Sequence, residues 1–430
     1  MSGADLEKLG KNELIEAYLE LQAKLQRPAK TSRTSSKPPS TDKKQRRETS
    51  KPGGAKPGHK GASRRLADNP DAVVDHRPDT CGNCGEIFPV DVSETVIGEY
   101  DAIDLPPVAP VVERHRRLQC VCSGCGATTK APLPQAATGS PFGPTIQALA
   151  FYLKHFQHVS YERLQGLFRD VFGLVISQGA LMNMLRRGAA SFAAQKSSLV
   201  SRLRGAKAVA SDETGVRIEG LNAYHWVFRS ADTVVHEAAF SRGAKVIDAV
   251  MGDHRPDFWL SDRYSAQQNR AARHQTCLAH LARDIAWVGQ VGDETIGLRL
   301  KLWIDAVFTL ARSLGDLAAS TVKRKRRDLD NRIADIVCTD TECEQTRKVL
   351  RKIDNAHDQL MTFLDAPDLV EPTNNGCERA LRPAVINRKV TNGFRAQWAA
   401  EADAAVRTVV DTASLVGTNP FTQIRQTLSA

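Results

Sequence analysis

Near the start of the chain, Leu14, Tyr18, Leu21 and Leu25 recur at spacings of four, three and four among Glu and Lys, across residues 6–25. That period predicts an amphipathic helix. Segment 1–26 is then either a dimerisation helix or a helix docked on its own protein. Large apolar residues almost vanish over 27–65, where Pro, Gly, Ser, Lys and Arg dominate. Such a composition cannot offset the entropy of ordering, so this segment reads as a basic arm or linker. Apolar runs at 92–103 and 111–119 have strand character. From 141 to 192 the period returns to that of helices, with Ile146, Leu149, Ala150 and Leu153, then Leu164, Leu167, Phe168 and Val171. A turn at Gly173 and a cap at Ser177 precede a helix bearing Leu181, Met184 and Leu185 and ending in Arg186-Arg187. Helix, glycine turn and capped helix over 140–200 fit a helix-turn-helix DNA reader, and fit a small helical bundle as well.

The pattern then changes to strands. Ala208-Val209-Ala210 leads into Ser211-Asp212-Glu213-Thr214-Gly215, where the strand is expected to end. Alternation places Asp212 and Glu213 on opposite faces, so one of them at most enters a given site. A second strand follows at 216–219 or 224–229, a third at 234–240, a helix at 244–251, a strand at 258–261 ending in Asp262, and a fifth at 274–278. Three antiparallel strands, a helix and a strand ending in Asp is the order of the ribonuclease-H-like fold. Its first and fourth strands are neighbours, so Asp212 and Asp262 would converge. The expected architecture is multidomain α/β, a mixed-sheet core followed by a long helical region over about 285–364. Beyond it, Asn374 and Asn375 are good helix starters. Glu378 lies three residues after Asn375, the spacing of a capping box, and a carboxylate engaged there could not also hold a metal.

Composition adds partners. A net charge of +10 favours a polyanion, nucleic acid first. No apolar run is long enough to span a bilayer and the polar start lacks a signal-peptide core, so a cytoplasmic protein without membrane contact is expected. Lys51 to Gly61 superficially looks like a phosphate loop, but Gly58 is followed by His59 and no strand precedes it. Lys56, His59 and Lys60 are instead candidate DNA contacts of the arm, which otherwise is a passive linker. The run Lys323-Arg324-Lys325-Arg326-Arg327 reads as a DNA contact or as a solvated helix face.

Nine cysteines include two matching knuckles, Cys81-Gly82-Asn83-Cys84-Gly85 and Cys122-Ser123-Gly124-Cys125-Gly126. Four thiolates at this spacing predict a zinc ribbon over 66–135, with one structural zinc on Cys81, Cys84, Cys122 and Cys125. Cys120 offers a rival pairing with Cys122, but only Cys122 and Cys125 repeat the first knuckle. Cys277 and His280 are two further potential ligands, too few for a zinc site by themselves.

Taken in order, these motifs resemble the DDE transposases of bacterial insertion sequences, the group founded on insertion sequence sixty-six. The resemblance rests on Ser36-Lys37-Pro38-Pro39-Ser40 with Pro52-Gly53-Gly54 and Pro57 to Gly61, the knuckles, and Asp212-Glu213-Thr214. It continues through Ser261-Asp262-Arg263-Tyr264, Cys277 to Asp284, Thr373-Asn374-Asn375, Glu378-Arg379, Leu381-Arg382-Pro383 and Arg388-Lys389. It implies that the core lies in two parts, 205–284 and 371–430, interrupted by an all-helical insertion at 285–370. It also implies a catalytic triad of Asp212, Asp262 and Glu378 holding two divalent cations, magnesium or manganese in its place. Glu213 is left to pair with a cation or to position the turn. The implied activity is metal-dependent cleavage at the element's ends and strand transfer into target DNA. Arg379, Arg382, Arg388 and Lys389 are placed in sequence to hold phosphates near Glu378, or are ordinary helix-surface charge, with Arg186 and Arg187 as further DNA contacts; Cys277 and His280, with Asn374 and Asn375, would lie near the active centre, or Cys277 and His280 are a packed cysteine and a hydrogen-bonded histidine. A homodimer or higher oligomer, small accessory proteins of the same element and association with the bacterial nucleoid follow from the same resemblance. Gln267 departs from it, standing where an aromatic residue is usual. Two alternatives use the same residues: a ribonuclease-H-like nuclease that cuts without joining, and an inactive zinc-ribbon DNA-binding protein.

Overall fold

The computed structural model describes residues 64–429 apart from 107 and 134–139, and before them residues 10, 11, 13–15, 18, 22, 28–35, 42 and 58–61. Leu21, Leu25, Ser36 to Ser40, Pro52 to Gly54 and Lys56 therefore lie outside the described residues. Residues 11, 13–15, 18 and 22 are helical, and the exposed Leu14, Ile15 and Tyr18 belong to that helix. The chain divides into two units, Lys44–Val111 and Met1–Lys43 with Val112–Ala430.

In the smaller unit the first knuckle is a closed turn. The Gly85 N–H donates to the Cys81 carbonyl at 2.8 Å, with Gly85 at φ +77°, where a side chain would be strained. The strand expected at 92–103 is not formed: these residues have no ladder partner, and Val96, Ile97 and Tyr100 are exposed. Alternating side chains make a strand only where another strand takes up the N–H and C=O groups.

In the larger unit, strands β1 (Gln119–Val121) and β2 (Thr128–Lys130) pair antiparallel around the second knuckle, so the run at 111–119 is a strand only from its last residue. The knuckle repeats the first, with Gly126 N–H on the Cys122 carbonyl at 2.8 Å and Gly126 at φ +72°. Helix α1 (Pro144–Phe151) runs on through a π-helical turn at Tyr152–Phe156. Helices α2 (Tyr161–Phe172) and α3 (Gln178–Leu203) follow, joined through left-handed Gly173 and capped by Ser160 and Ser177, whose hydroxyls accept from Arg163 N–H and Ala180 N–H.

The main sheet has five strands: β3 (Ala208–Ile218), β4 (Leu221–Arg229), β5 (Val234–Ala239), β6 (Phe258–Ser261) and β7 (Arg273–Thr276). Their order is β5-β4-β3-β6-β7, with β4 antiparallel to both neighbours and β3, β6 and β7 parallel. This mixed α/β core with helical insertions has the element order of the ribonuclease-H-like superfamily. Val209, Trp226, Phe228, Val235 and Trp259 pack on one face beneath α4 (Ala244–Met251) and Leu203 of α3. Ala210, Val227 and Val234 line the other face with Cys377 and Leu381 of α9 (Asn375–Thr391).

Beyond β7, α5 (Leu278–Val291), α6 (Glu294–Arg312), α7 (Ala319–Val337) and α8 (Glu344–Asp354) share one core that includes Phe258 and Trp303. This is the helical insertion, packed on α5. After α9 come α10 (Gln397–Leu415) and α11 (Pro420–Ser429). They share a core with α1 to α3 through Ala405, Val406, Val409, Val410 and Ile424, so the helices before and after the sheet close on each other. Helix α10 also covers the open edge of β5. Thr408 and Thr412 accept the N–H groups of His236 and Val234 at 2.9 and 3.0 Å, which satisfies an edge that would otherwise template pairing.

A second tie fixes α9 over β3. Phe394 N–H donates to the Arg217 carbonyl at 2.8 Å, and Glu219 N–H to the Phe394 carbonyl at 2.9 Å. Gly393 makes this approach possible: at φ +111° a Cβ would strike the Arg217 carbonyl oxygen. Gly393→Ala should therefore destabilise the protein by more than about 1 kcal/mol, read as a lowered urea midpoint; an unchanged midpoint would show that the tie is dispensable.

Candidate active site

Strand β3 is longer than expected, running through Asp212 to Ile218 against β4, with Asp212 opposite Val227. What ends at the acids is the pairing with β6, whose last partners are Ala210 and Leu260. Strand β6 stops at Ser261, so β3 passes on with its β6 side open. Continued past its last pair, this parallel register would set Asp212 across from Asp262 on the face that carries Ala210, and the Asp262 charge does act on Asp212. That face lies beneath α9.

Asn374 sets the height of α9. Its amide Nδ2 donates 2.8 Å to the Ser211 carbonyl, the peptide before Asp212, and its own N–H donates 3.2 Å to Cys277 Sγ. Leu278 N–H reaches the Pro372 carbonyl at 3.0 Å. The start of α9 is thus anchored to β3 and to the start of α5, four residues before Glu378. No capping box forms: Asn374 is the N-cap but makes no side-chain cap bond, and Asn375 is exposed. The Asn374 amide is drawn off to β3, which leaves the Glu378 carboxylate free to face Arg283 Nη2 at 3.4 Å and His280 Nδ1 at 3.8 Å.

The other acids act on Asp212. Burial pushes Asp212 up to about 8, and Glu213, Asp262 and Glu378 all push in the same direction, partly offset by the Glu213 N–H that Asp212 accepts at 2.9 Å. Asp262 accepts the Tyr264 N–H at 2.9 Å, which holds its loop. An all-oxygen donor set that burdens itself with repulsion fits hard divalent cations. Among the described residues, the group of three potential metal ligands whose donor atoms all lie within 4.8 Å of one another is different: Cys277, His280 and Glu378.

Glu213 faces away, as alternation requires. Its carboxylate pairs with Arg242 at 2.8 Å, and the Arg242 guanidinium lies 4.1 Å over the Tyr264 ring. Gln267, in the position where an aromatic residue is usual, is fully buried. It accepts from Trp259 Nε1 at 3.1 Å and donates to Glu213 Oε2 at 3.0 Å, so it ties the loop after Asp262 to the back of β3. Nothing in the spacing of the sequence foretold this bond.

The candidate DNA contacts divide. Arg379, Arg382 and Lys389 are exposed on α9, and Arg382 and Lys389 share a helical face with Glu378. Arg388 is bound to the Gly215 carbonyl of β3. Arg186 and Arg187 are exposed, with the Arg186 guanidinium 5.2 Å from the Trp398 ring centre. His59 and Lys60 are exposed in the smaller unit. Each knuckle aims amide N–H groups at its first sulfur. Cys84 and Asn83 lower the Cys81 thiol, and Gly124 and Cys125 lower the Cys122 thiol, as a thiolate ligand needs. Cys81 with Cys84 and Cys122 with Cys125 belong to different units.

Missed by the motif reading is a buried polar network on the α9 side of the sheet. His225 Nε2 bonds His236 Nδ1 at 2.9 Å, His236 Nε2 bonds Asp411 at 2.9 Å, and Asp411 accepts from Arg407 at 2.7 and 3.0 Å. Asp403 holds His155 Nδ1 at 2.8 Å. Its signal was present: Asp403, Arg407 and Asp411 recur every fourth residue in an Ala- and Val-rich helix.

No helix among the described residues is long and apolar enough to cross a membrane. A search of curated proteins finds no match. A family model described as Transposase IS66 family matches residues 139–402, more than half of the chain, from before α1 into α10. The protein belongs to the IS66 family of transposases.

Proposed function

We propose that this protein cuts DNA at the ends of its insertion sequence and joins those ends to target DNA, with Asp212, Asp262 and Glu378 as its catalytic carboxylates. The observation that carries this reading is the parallel register of β3 and β6 beneath α9, with an Asp212 carboxyl pushed up to about 8 by burial and by acids from all three elements. The three side chains would hold two magnesium ions, which supply activation of a water or a 3'-hydroxyl and charge neutralisation at the departing oxygen.

The remaining work belongs to the chain. Asn374 holds the Ser211–Asp212 peptide at a set distance from α9. The Glu213–Arg242 pair and Gln267 hold the strand and loop that carry Asp212 and Asp262. Arg379, Arg382 and Lys389 grip phosphates beside Glu378 as charge-assisted contacts. His59, Lys60, Lys56, Arg186 and Arg187 add contacts to the backbone of the end DNA, and Arg388, bonded to β3, steadies α9. Two copies or more bring the two ends together.

The deciding experiment is a strand-transfer assay with end DNA, a target plasmid and magnesium. Joined product is expected for the wild type and none for Asp262→Asn, which should still bind ends. Hydrolysis without joining would make the protein a nuclease, and binding without cleavage under any metal would make it a DNA-binding module.

One structural zinc on Cys81, Cys84, Cys122 and Cys125 completes the proposal, supported by two knuckles of the same turn geometry. Cys84→Ser should remove one equivalent of zinc from the purified protein by metal analysis; full zinc content in that variant would sink the ribbon.

A further inference from the structure

Cys277 and His280 begin helix α5, Cys277 as its N-cap, and Glu378 meets them from α9. Cys277 Sγ, a ring nitrogen of His280 and a carboxylate oxygen of Glu378 all lie within 4.8 Å of one another. His280 Nδ1 is buried and has no hydrogen-bond partner, and it stands 3.8 Å from Glu378 Oε1. An imidazole nitrogen kept without a partner between a thiol and a carboxylate is costly unless something else satisfies it. The nearest cation, Arg283, reaches Glu378 only at 3.4 Å and is partly exposed, so little holds the carboxylate against a competing ligand.

We propose that Cys277, His280 and Glu378 form a further metal site, selective for a soft, zinc-class ion, whose occupation withdraws Glu378 from the acidic centre and stops cleavage. The regulatory half of this inference rests on the reading of Glu378 as a catalytic carboxylate; the binding half does not. Sulfur, nitrogen and oxygen donors suit zinc, and magnesium disregards thiolate, so each ion selects its own site. Zinc bonds of about 2.0–2.3 Å require the three donors, now within 4.8 Å of one another, to draw closer, and a water completes four-coordination. The Cys277 thiol, raised by burial and lowered in part by the N–H groups of Asn374, His280 and Ala279, gives up its proton when the ion binds.

Cobalt(II) titration of the full chain tests the binding half, because thiolate-to-cobalt absorption reports sulfur ligands directly. Relative to the wild type, Cys277→Ser should lose one equivalent of cobalt and its share of that absorption. His280→Gln should weaken the same equivalent by at least about tenfold, the lower bound for losing even a supporting group. If Cys277→Ser fails to fold, judged by circular dichroism, His280→Gln decides. Unaltered stoichiometry and affinity in the folded variants would overturn the site. For the regulatory half, micromolar zinc should suppress magnesium-dependent cleavage by the wild type, and His280→Gln should need at least about tenfold more zinc for the same loss. Equal zinc sensitivity would overturn the switch. A wild type that never cleaves with magnesium would instead defeat the transposase reading and leave the cobalt result standing.

Discussion

Asp212→Asn should lower magnesium-dependent cleavage by at least about a thousandfold, roughly 4 kcal/mol of barrier, and at the same time stabilise the metal-free protein in alkaline solution. The two effects share one cause. Burial, then Glu213, Asp262 and Glu378, push the Asp212 carboxyl up to about 8. Its folded value lies above its unfolded value near 3.8, so the folded state holds the proton more tightly. Wild-type stability should then fall as the pH rises from about 4 to about 8 and level off above, by at most about 6 kcal/mol. Asparagine carries no charge to bury, so the variant's stability should lack that decline. Magnesium should raise the melting temperature of the wild type far more than that of the variant, because it is the ion that relieves the repulsion. A variant with wild-type cleavage, or with the wild-type pH dependence of stability, would remove Asp212 from the centre. A site that weakens the fold in order to bind cations is the usual exchange of stability for activity.

The second large effect is purely structural. Arg407→Met should cost about 3–5 kcal/mol, read from the urea midpoint at pH 7. Arg407 is 3% exposed, and its guanidinium supplies two bonds to Asp411 and one of 3.2 Å to the His155 carbonyl. Removal leaves Asp411, mostly shielded from solvent, with His236 as its remaining partner. Burial alone would raise Asp411, but Arg407 and His236 more than offset it. An ionised Asp411 can only accept, so His236 Nε2 donates to it and His236 Nδ1 accepts from His225. The double variant Arg407→Met/Asp411→Leu should recover part of the loss, since neither charge is then left alone. A single variant within about 0.5 kcal/mol of the wild type would show that the pair is solvated. Because Asp403 and Asp411 are both held below the usual carboxylate value, their contribution is present above pH ~4 and is lost as the pH falls through their folded values.

Much of this was legible in local pattern. Apolar strand runs marked the strands of the sheet, and the capped helix after Ser177 was visible because caps are local. The failures have physical causes. The sequence around Asp212 reads as a strand end because Ser-Asp-Glu-Thr-Gly is polar, yet β4 supplies ladder partners as far as Ile218. Residues 92–103 alternate like a strand and find no such partner. The Asn375–Glu378 spacing suggested a capping box, but the neighbouring Asn374 bonds across to β3 and Glu378 turns to α5. A side chain with local and distant options takes whichever the tertiary structure brings near, and that choice has no local signature.

Sequence by itself determined the order of the elements, the opposite facing of Asp212 and Glu213 and the two knuckles, all consequences of bonding or period within a few residues. Tertiary structure alone decided that Glu213 pairs with Arg242, that Gln267 fills an aromatic position by bonding Trp259 and Glu213, that α10 covers the edge of β5, and that Glu378 stands beside Cys277 and His280. Apart from Trp259 and Gln267, eight positions apart, these contacts join residues from 29 to more than a hundred positions apart. Only the packing of strands, loops and helices around the sheet brings them within bonding distance, and no spacing along the chain records it.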